Sequence, residues 1–346
     1  MKTATLVMVT FAAAFAGNAL TGSSLAQEPQ SPDAQAAPAL TAETINNARL
    51  GTDLVEPAPS ATTPTDARYP DPAIARLQIL LDRAAASPGV IDGFDGENVH
   101  KAVLAFEGMN GLPQDGTLDG EMLALLDPGG PAIGHYEITA EDAAAIVPPI
   151  PDDYAEKAGR DFLGYESVSE AVAERFHMDI DLLEALNPGA GYRAGDVVLV
   201  AAFGPDRKDE VARIEADKGK RQVRAYDASG TLLAAYPATI GSSQNPSPAG
   251  IHPVNGVARM PVYTYNPEIN FQQGDNTGIL EIPPGPNGPV GTIWIDLSEP
   301  TYGIHGTPEP SLIDKTASHG CVRLTNWDAE ELAGMVKPGV TVEFLG

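Results

Sequence analysis

The chain has 346 residues, with 21 Lys+Arg against 47 Asp+Glu and a formal net charge of −26. That length leaves room for about two or three domains, and a hydrophobic content of 43% excludes wholesale disorder. The acidity excludes a nucleic-acid binder, which needs Lys and Arg to displace counterions from phosphates, and the single cysteine, Cys321, excludes an intramolecular disulfide framework.

Lys2 precedes the apolar run 4–16, and small residues then lead to Ser24-Leu25-Ala26 before Gln27. This order predicts a secretory signal peptide over residues 1–26, too short and too weakly flanked to anchor in a membrane. The mature protein is therefore expected to be exported, without a transmembrane segment, carrying one thiol into an oxidising space. Residues 27–70 are rich in Ala, Pro, Thr, Ser and Gln. They read as a linker that buries too little to order itself, apart from a short helix around Ala42–Leu50.

From Asp71-Pro72 the pattern turns helical, with Ile74, Leu77, Ile79, Leu80 and Leu81 at helical spacing behind a proline start. A cluster of Gly turns precedes a second helix through Val99, Ala102, Val103, Leu104 and Phe106. Asp115-Gly116 and Asp119-Gly120 lead into a third, Met122–Leu126. The run from Ala75 to Asp119, with its GVIDG, KAVLAF and GL…DG grammar, resembles the peptidoglycan-binding domain 1 family over residues 71–128. Glu107 stands where that family usually has Gln. The helical pattern alone fits equally a three-helix module without a ligand.

Residues 129–160 are again rich in Pro and Gly and read as a second linker. Over 161–203, Val168, Val172, Ala173 and Phe176 predict one helix and Leu182, Leu183 and Leu186 another, stopped by Asn187-Pro188-Gly189. Val197–Val200 follows as a strand. This order resembles a LysM carbohydrate-binding module; a spacer docked on the next domain has the same pattern. Residues 210–346 read as β-rich. Strands are expected at Val211–Ala216, Arg221–Tyr226, Thr231–Ile240, Ile293–Ile295 and Thr341–Leu345. One helix is signalled by the T-x-x-D start Thr325…Asp328 and ended by Pro338-Gly339.

The chemistry concentrates in residues 302–328, which hold two of the six histidines and the only cysteine. A thiol with pKa about 8.5 is mostly protonated at neutral pH and needs a base or a positive field to act as a nucleophile. An imidazole nearby supplies that base. His305 ends a strand-like run, and His319 and Cys321 are spaced to share one face of an extended segment. Gly320 between them frees backbone amides for a developing oxyanion, and Arg323 offers a cationic handle for a carboxylate. Zinc is the rival use of His305, His319 and Cys321, but no spacing nominates a fourth ligand, so no metal and no cofactor is expected. His100, His135, His177 and His252 have no such company. The residues by themselves point to an exported thiol acyl-transfer enzyme.

Ile304-His305-Gly306-Thr307, a twelve-residue spacer, then Ser318-His319-Gly320-Cys321-Val322-Arg323-Leu324 resemble the signature of the YkuD-type L,D-transpeptidase catalytic domain. Asp314 stands in the spacer where many members have Gly. The resemblance implies a multidomain α+β protein of the periplasm, its β-rich YkuD-type domain preceded by the three-helix and LysM-like modules. It also implies Cys321 as nucleophile and His305 as proton acceptor and donor, oriented by the Gly306 carbonyl. Ser318, His319 and Gly320 would line the pocket and oxyanion hole, with Arg323 supporting substrate. The partners implied are peptidoglycan stem peptides as donor and acceptor, glycan strands for the front modules, and an envelope protein as another acceptor. Two alternatives stay open: an L,D-carboxypeptidase or endopeptidase on the same thioester machinery, and a non-catalytic peptidoglycan-binding envelope protein.

Overall fold

The computed structural model describes residues 40–52, 54–55, 69–242, 245–316, 318 and 320–346. The expected signal peptide, most of the first linker and His319 lie outside the described residues.

Helix α1 (Ala42–Asn46) is a single capped stretch ahead of the three-helix unit formed by α2 (Pro72–Arg83), α3 (Glu97–Met109) and α4 (Gly120–Leu126). Asp71 caps α2 by accepting from the amides of Ala73 and Ile74, with Pro72 at the first turn, where a missing N–H costs nothing. Asp119 caps α4 in the same way. The apolar faces meet in a core of Leu77, Leu80, Leu81, Val99, Val103, Phe106, Leu118 and Met122. Glu107 is buried at 1% exposure, and its carboxylate accepts from the amides of Gly116 and Thr117. It holds the Asp115-Gly116 turn in place, a structural use for a residue that departs from the resembled family.

Strand β1 (Ile133–Glu137) follows, then α5 (Ala140–Ala144), α6 (Tyr154–Ala158), α7 (Val168–Arg175), α8 (Ile180–Leu186) and β2 (Val197–Ala201). β1 pairs antiparallel with β2, Ile133 opposite Ala201. The reading of 129–160 as a plain linker is thus corrected. Its first strand completes the sheet of the next module, and α6 lies against the β-rich domain. The reason is long-range pairing: β1 is only five residues long with Ile133 alone buried, and its partner stands some sixty positions downstream.

The β-rich domain comprises β3 (Arg213–Asp217), β4 (Gln222–Tyr226), β5 (Leu232–Pro237), β6 (Thr239–Ile240), β7 (Gly250–Arg259), β8 (Tyr263–Tyr265), β9 (Leu280–Ile282), β10 (Ile293–Leu297), β11 (Gly303–His305), β12 (Val322–Arg323), α9 (Asn326–Met335) and β13 (Thr341–Leu345). Nine strands form one sheet in the order β5-β4-β3-β13-β7-β10-β11-β12-β6, while β8 and β9 pair as a separate hairpin. β13 beside β3 and β12 beside β11 are parallel pairs. A core of Ile214, Val223, Ala225, Tyr236, Ile295, Ile304, Val322 and Val342 fills the domain, with Leu332 and Met335 of α9 packed into it.

Candidate active site

The sheet order builds the site. β10 runs antiparallel to β11 with Trp294 opposite His305, and β11 runs parallel to β12 with His305 opposite Arg323. β12 in turn pairs with β6, Arg323 opposite Thr239. Two segments seventeen residues apart in sequence are thereby laid side by side, with Cys321 at the entry to β12. Ser318 pins that entry: its hydroxyl donates to the Cys321 carbonyl at 2.6 Å and accepts from the Gly241 amide at 2.7 Å. Gly320 has φ +110, and a Cβ there would lie 2.7 Å from the Tyr302 ring, so no other residue fits the turn. Gly306 is equally constrained, since a Cβ would stand 2.2 Å from Asn326 Oδ1.

His305 is buried at 5% exposure and stacks on Trp294, the ring centroids 5.6 Å apart and the planes 21° apart. Its Nδ1–H donates to the Gly306 carbonyl at 2.7 Å. A carbonyl only accepts, so the neutral ring carries its proton on Nδ1 and keeps the Nε2 lone pair free. The Cys321 thiol, the one free thiol, donates to the Thr301 carbonyl at 3.6 Å. Burial pulls the imidazole of His305 down to about 3, with the Arg323 charge adding to the shift and the Gly306 carbonyl opposing it. Burial raises the Cys321 thiol, against the Gly303 backbone and Arg323, which lower it. Thiol and imidazole are therefore both neutral at rest. Arg323 is itself lowered by burial and partly restored by Glu309, and its Nε has no hydrogen-bond partner among the described residues.

A cleft of about 740 Å³ opens over Cys321, His305, Ser318 and Arg323. Among the described residues, Arg323 is its only charged lining side chain, so the field inside favours an anionic ligand. Aromatic walls come from Tyr154, Tyr263, Trp294 and Tyr302. Of the residues picked from sequence, His305, Ser318, Cys321 and Arg323 line the cleft, Gly306 and Gly320 stand beside them in the chain, and His319 lies outside the described residues. Trp294, Thr301, Tyr302 and Tyr154 were not picked. The Ile293–Ile295 strand signal reached Trp294, but nothing local marks the other three as cleft residues. Among the described residues no group of three or more His, Cys, Asp or Glu is arranged to hold a metal ion. His177 is taken up elsewhere, stacked between Phe203 and Trp327 and paired with Asp82 at 3.0 Å.

A family model of the L,D-transpeptidase catalytic domain (YkuD) matches residues 212–344, and one of a peptidoglycan binding domain matches 70–126. The YkuD protein of Bacillus licheniformis, named as an L,D-transpeptidase, is 30% identical over 177 residues, 50% of this chain and 90% of that one. Its namesake in Bacillus subtilis is 28% identical over 174 residues, with the same coverage of 50% and 90%. Among solved structures, L,D-transpeptidase 3 of Mycobacterium tuberculosis aligns at 17% identity and a TM-score of 0.33, covering 44% of this chain and 75% of that one. The two family models and the 30% identity to the Bacillus licheniformis protein have one reading: the chain belongs to the YkuD-type L,D-transpeptidase family and carries a peptidoglycan-binding domain ahead of its catalytic domain.

Proposed function

We propose that Cys321 is the nucleophile of a peptidoglycan L,D-transpeptidase and His305 its general base and acid. The observation that carries this reading is the Nδ1–H bond from His305 to the Gly306 carbonyl, which leaves Nε2 as the acceptor in a cleft shared with the thiol. Gly306 takes the part that a triad's third member plays, fixing tautomer and ring orientation without adding charge. As Sγ attacks the carbonyl of the third stem residue, its proton passes to Nε2. His319, Gly320 and the Cys321 amide are proposed to line the pocket and the oxyanion hole, with the Ser318 hydroxyl holding the Cys321 carbonyl. The imidazolium then protonates the departing D-Ala amine, the C–N bond breaks, and a thioester remains on Cys321. An acceptor amine, deprotonated by His305, resolves the thioester and gives a 3→3 crosslink or a wall-anchored envelope protein. Water gives a tripeptide instead.

The front of the chain fits the same reading. The three-helix unit at 71–128 and the LysM-like module at 161–203 are proposed to hold the enzyme on glycan strands, and residues 1–26 to export it to the periplasm. No helix among the described residues is long and apolar enough to cross a membrane.

The test is mass spectrometry of products after mixing the protein with disaccharide-tetrapeptide, wild type beside Cys321→Ala. Crosslinked dimers with loss of D-Ala are expected from wild type, and a fall of at least about 10³-fold from the variant, the usual scale for removing a nucleophile. Tripeptide alone reassigns the enzyme as a carboxypeptidase, and equal turnover by the variant overturns the mechanism.

A further inference from the structure

The segment between the two front modules reaches the active-site cleft. α6 carries Tyr154 at its start, and the ring sits edge-on to Tyr263, Tyr265 and Phe271 of the β8–β9 hairpin, with centroids 5.2–6.2 Å away. Hydrogen bonds fasten the backbone around it. The Tyr154 amide donates to Gln273 Oε1 at 3.1 Å, Gln273 Nε2 donates to the Asp152 carbonyl at 3.1 Å, and Asn276 Nδ2 donates to Asp153 Oδ2 at 3.0 Å. Farther on, the Leu163 amide donates to the Pro284 carbonyl at 2.9 Å. So many bonds make a strap along the hairpin, and a connector whose sole use is reach needs none of them.

Tyr154 lines the same cleft as Cys321 and Arg323. Its ring is positioned from behind, while its hydroxyl makes no hydrogen bond among the described residues. The charge of Arg323 is felt at the Tyr154 hydroxyl, where it opposes the effect of burial. Arg323 contributes a second unpaired donor, its buried Nε. Two donors lining one cleft, with no acidic side chain among its described lining residues, call for an anion. Cys321 and Arg323 stand two positions apart at the entry of β12 and both face the cleft. A carboxylate one residue beyond the carbonyl attacked by Sγ falls within that reach.

We propose that Tyr154 is a specificity residue of the active site: together with Arg323, its hydroxyl holds the terminal carboxylate of the residue that leaves the donor stem peptide. This rests on the transpeptidase reading above and adds to it a residue from outside the matched catalytic domain, which begins at 212. The strap makes that contact depend on the connector, so the catalytic domain's substrate choice is completed by the chain in front of it.

The experiment is calorimetric binding of disaccharide-tetrapeptide to the full chain carrying Cys321→Ala, with and without Tyr154→Phe. The ligand is used once with its free terminal carboxylate and once as the terminal carboxamide. Phe keeps the ring in its aromatic setting, and thermal melts confirm the fold. With the carboxylate ligand, Tyr154→Phe is expected to weaken binding about ten-fold, the scale of a hydrogen bond to a charged group. With the carboxamide the same substitution should change binding less than about two-fold, because the charge it reads is gone. In Cys321-containing enzyme the loss should appear in KM, with kcat kept. No loss, or an equal loss with both ligands, overturns the proposal. Should wild-type enzyme release no D-Ala, the transpeptidase reading falls, while binding to the Cys321→Ala chain still judges Tyr154.

Discussion

At the scale of single residues, the site solves a problem of charge. A thiolate–imidazolium pair in so buried a setting would need His305 to hold a proton that burial and Arg323 both push off. Cys321, for its part, is raised by burial. In the proposed mechanism the pair is instead neutral at rest, and the proton moves only as the C–S bond forms, when the developing oxyanion compensates it. The active form then has both groups neutral, a window bounded below by about 3 and above by the raised thiol. We expect kcat/KM to be flat between pH 5 and 8 with no inflection near 6.5, where a solvent-exposed imidazole titrates. An acid limb centred near 6.5 in the pH–rate profile would sink the neutral-pair account. Stability moves with the same group. The unfolded chain takes its proton near 6.5 and the native state resists until about 3. His305 thus contributes stability above 6.5, and that contribution drains away as pH falls from 6.5 towards 3.

At the scale of elements, α9 is the prop behind the catalytic strands. Thr325 caps it by accepting from the Asp328 amide, as the T-x-x-D pattern predicts. Asn326 reaches forward from the first turn, accepting from the Thr292 amide at 3.2 Å and donating to the Pro286 carbonyl at 3.3 Å. Asp328 is buried at 3% exposure, and burial, reinforced by Asp82, pushes its carboxyl up to about 8. The native state therefore keeps a proton that the unfolded chain gives up near 3.8, and stability is lost as pH rises from 3.8 through 8. Asp328→Asn removes that titration. Its unfolding free energy relative to wild type should climb across pH 4 to 8, by at most about 1.4 kcal/mol per pH unit, and parallel curves would show that Asp328 does not titrate there. What could be read in sequence follows the same division. Caps, helical periodicity and the paired motifs around His305 and Cys321 are local, and they point to α2, α3, α9 and the proposed reacting residues. β7 was missed because Pro253 and Gly256 break any strand signal, its order coming from pairing with both β13 and β10. α6 was missed because a five-residue helix rests on its Asp153 cap and on aromatic neighbours more than a hundred residues ahead.

At the scale of the whole molecule, composition suggests separate modules strung on linkers, with 33 of the 47 acidic side chains before residue 213. The structure joins the three-helix unit to the catalytic sheet instead. The Ser87 amide donates to the Ala235 carbonyl and the Ala235 amide to the Ala85 carbonyl, both at 2.9 Å, so the chain after α2 runs along β5. Ala235 belongs to the helical unit's core, and Ala85 belongs to the core of the sheet. Beside this seam Asp314, its side chain 5% exposed, pairs with Lys101 of α3 at 2.6 Å and with Arg221 at 2.7 Å. Arg221 also pairs with Glu97. Asp314 has φ +68, in the left-handed region where glycine is at ease, and the two cations hold it there. The residue that departs from the family's glycine is therefore the anchor by which the peptidoglycan-binding helix grips the spacer leading to Ser318 and Cys321. Removing one partner leaves a buried carboxylate half compensated, at a cost of about 2–3 kcal/mol. For Lys101→Ala we expect a melting temperature lower by about 5 °C in a single transition, since the two cores interlock. We also expect kcat several-fold lower, since the spacer loses its hold, while Lys101→Arg restores both. Calorimetry and turnover on the full chain check this, and a variant that melts in two steps would show that module and sheet are held together by that ion cluster alone.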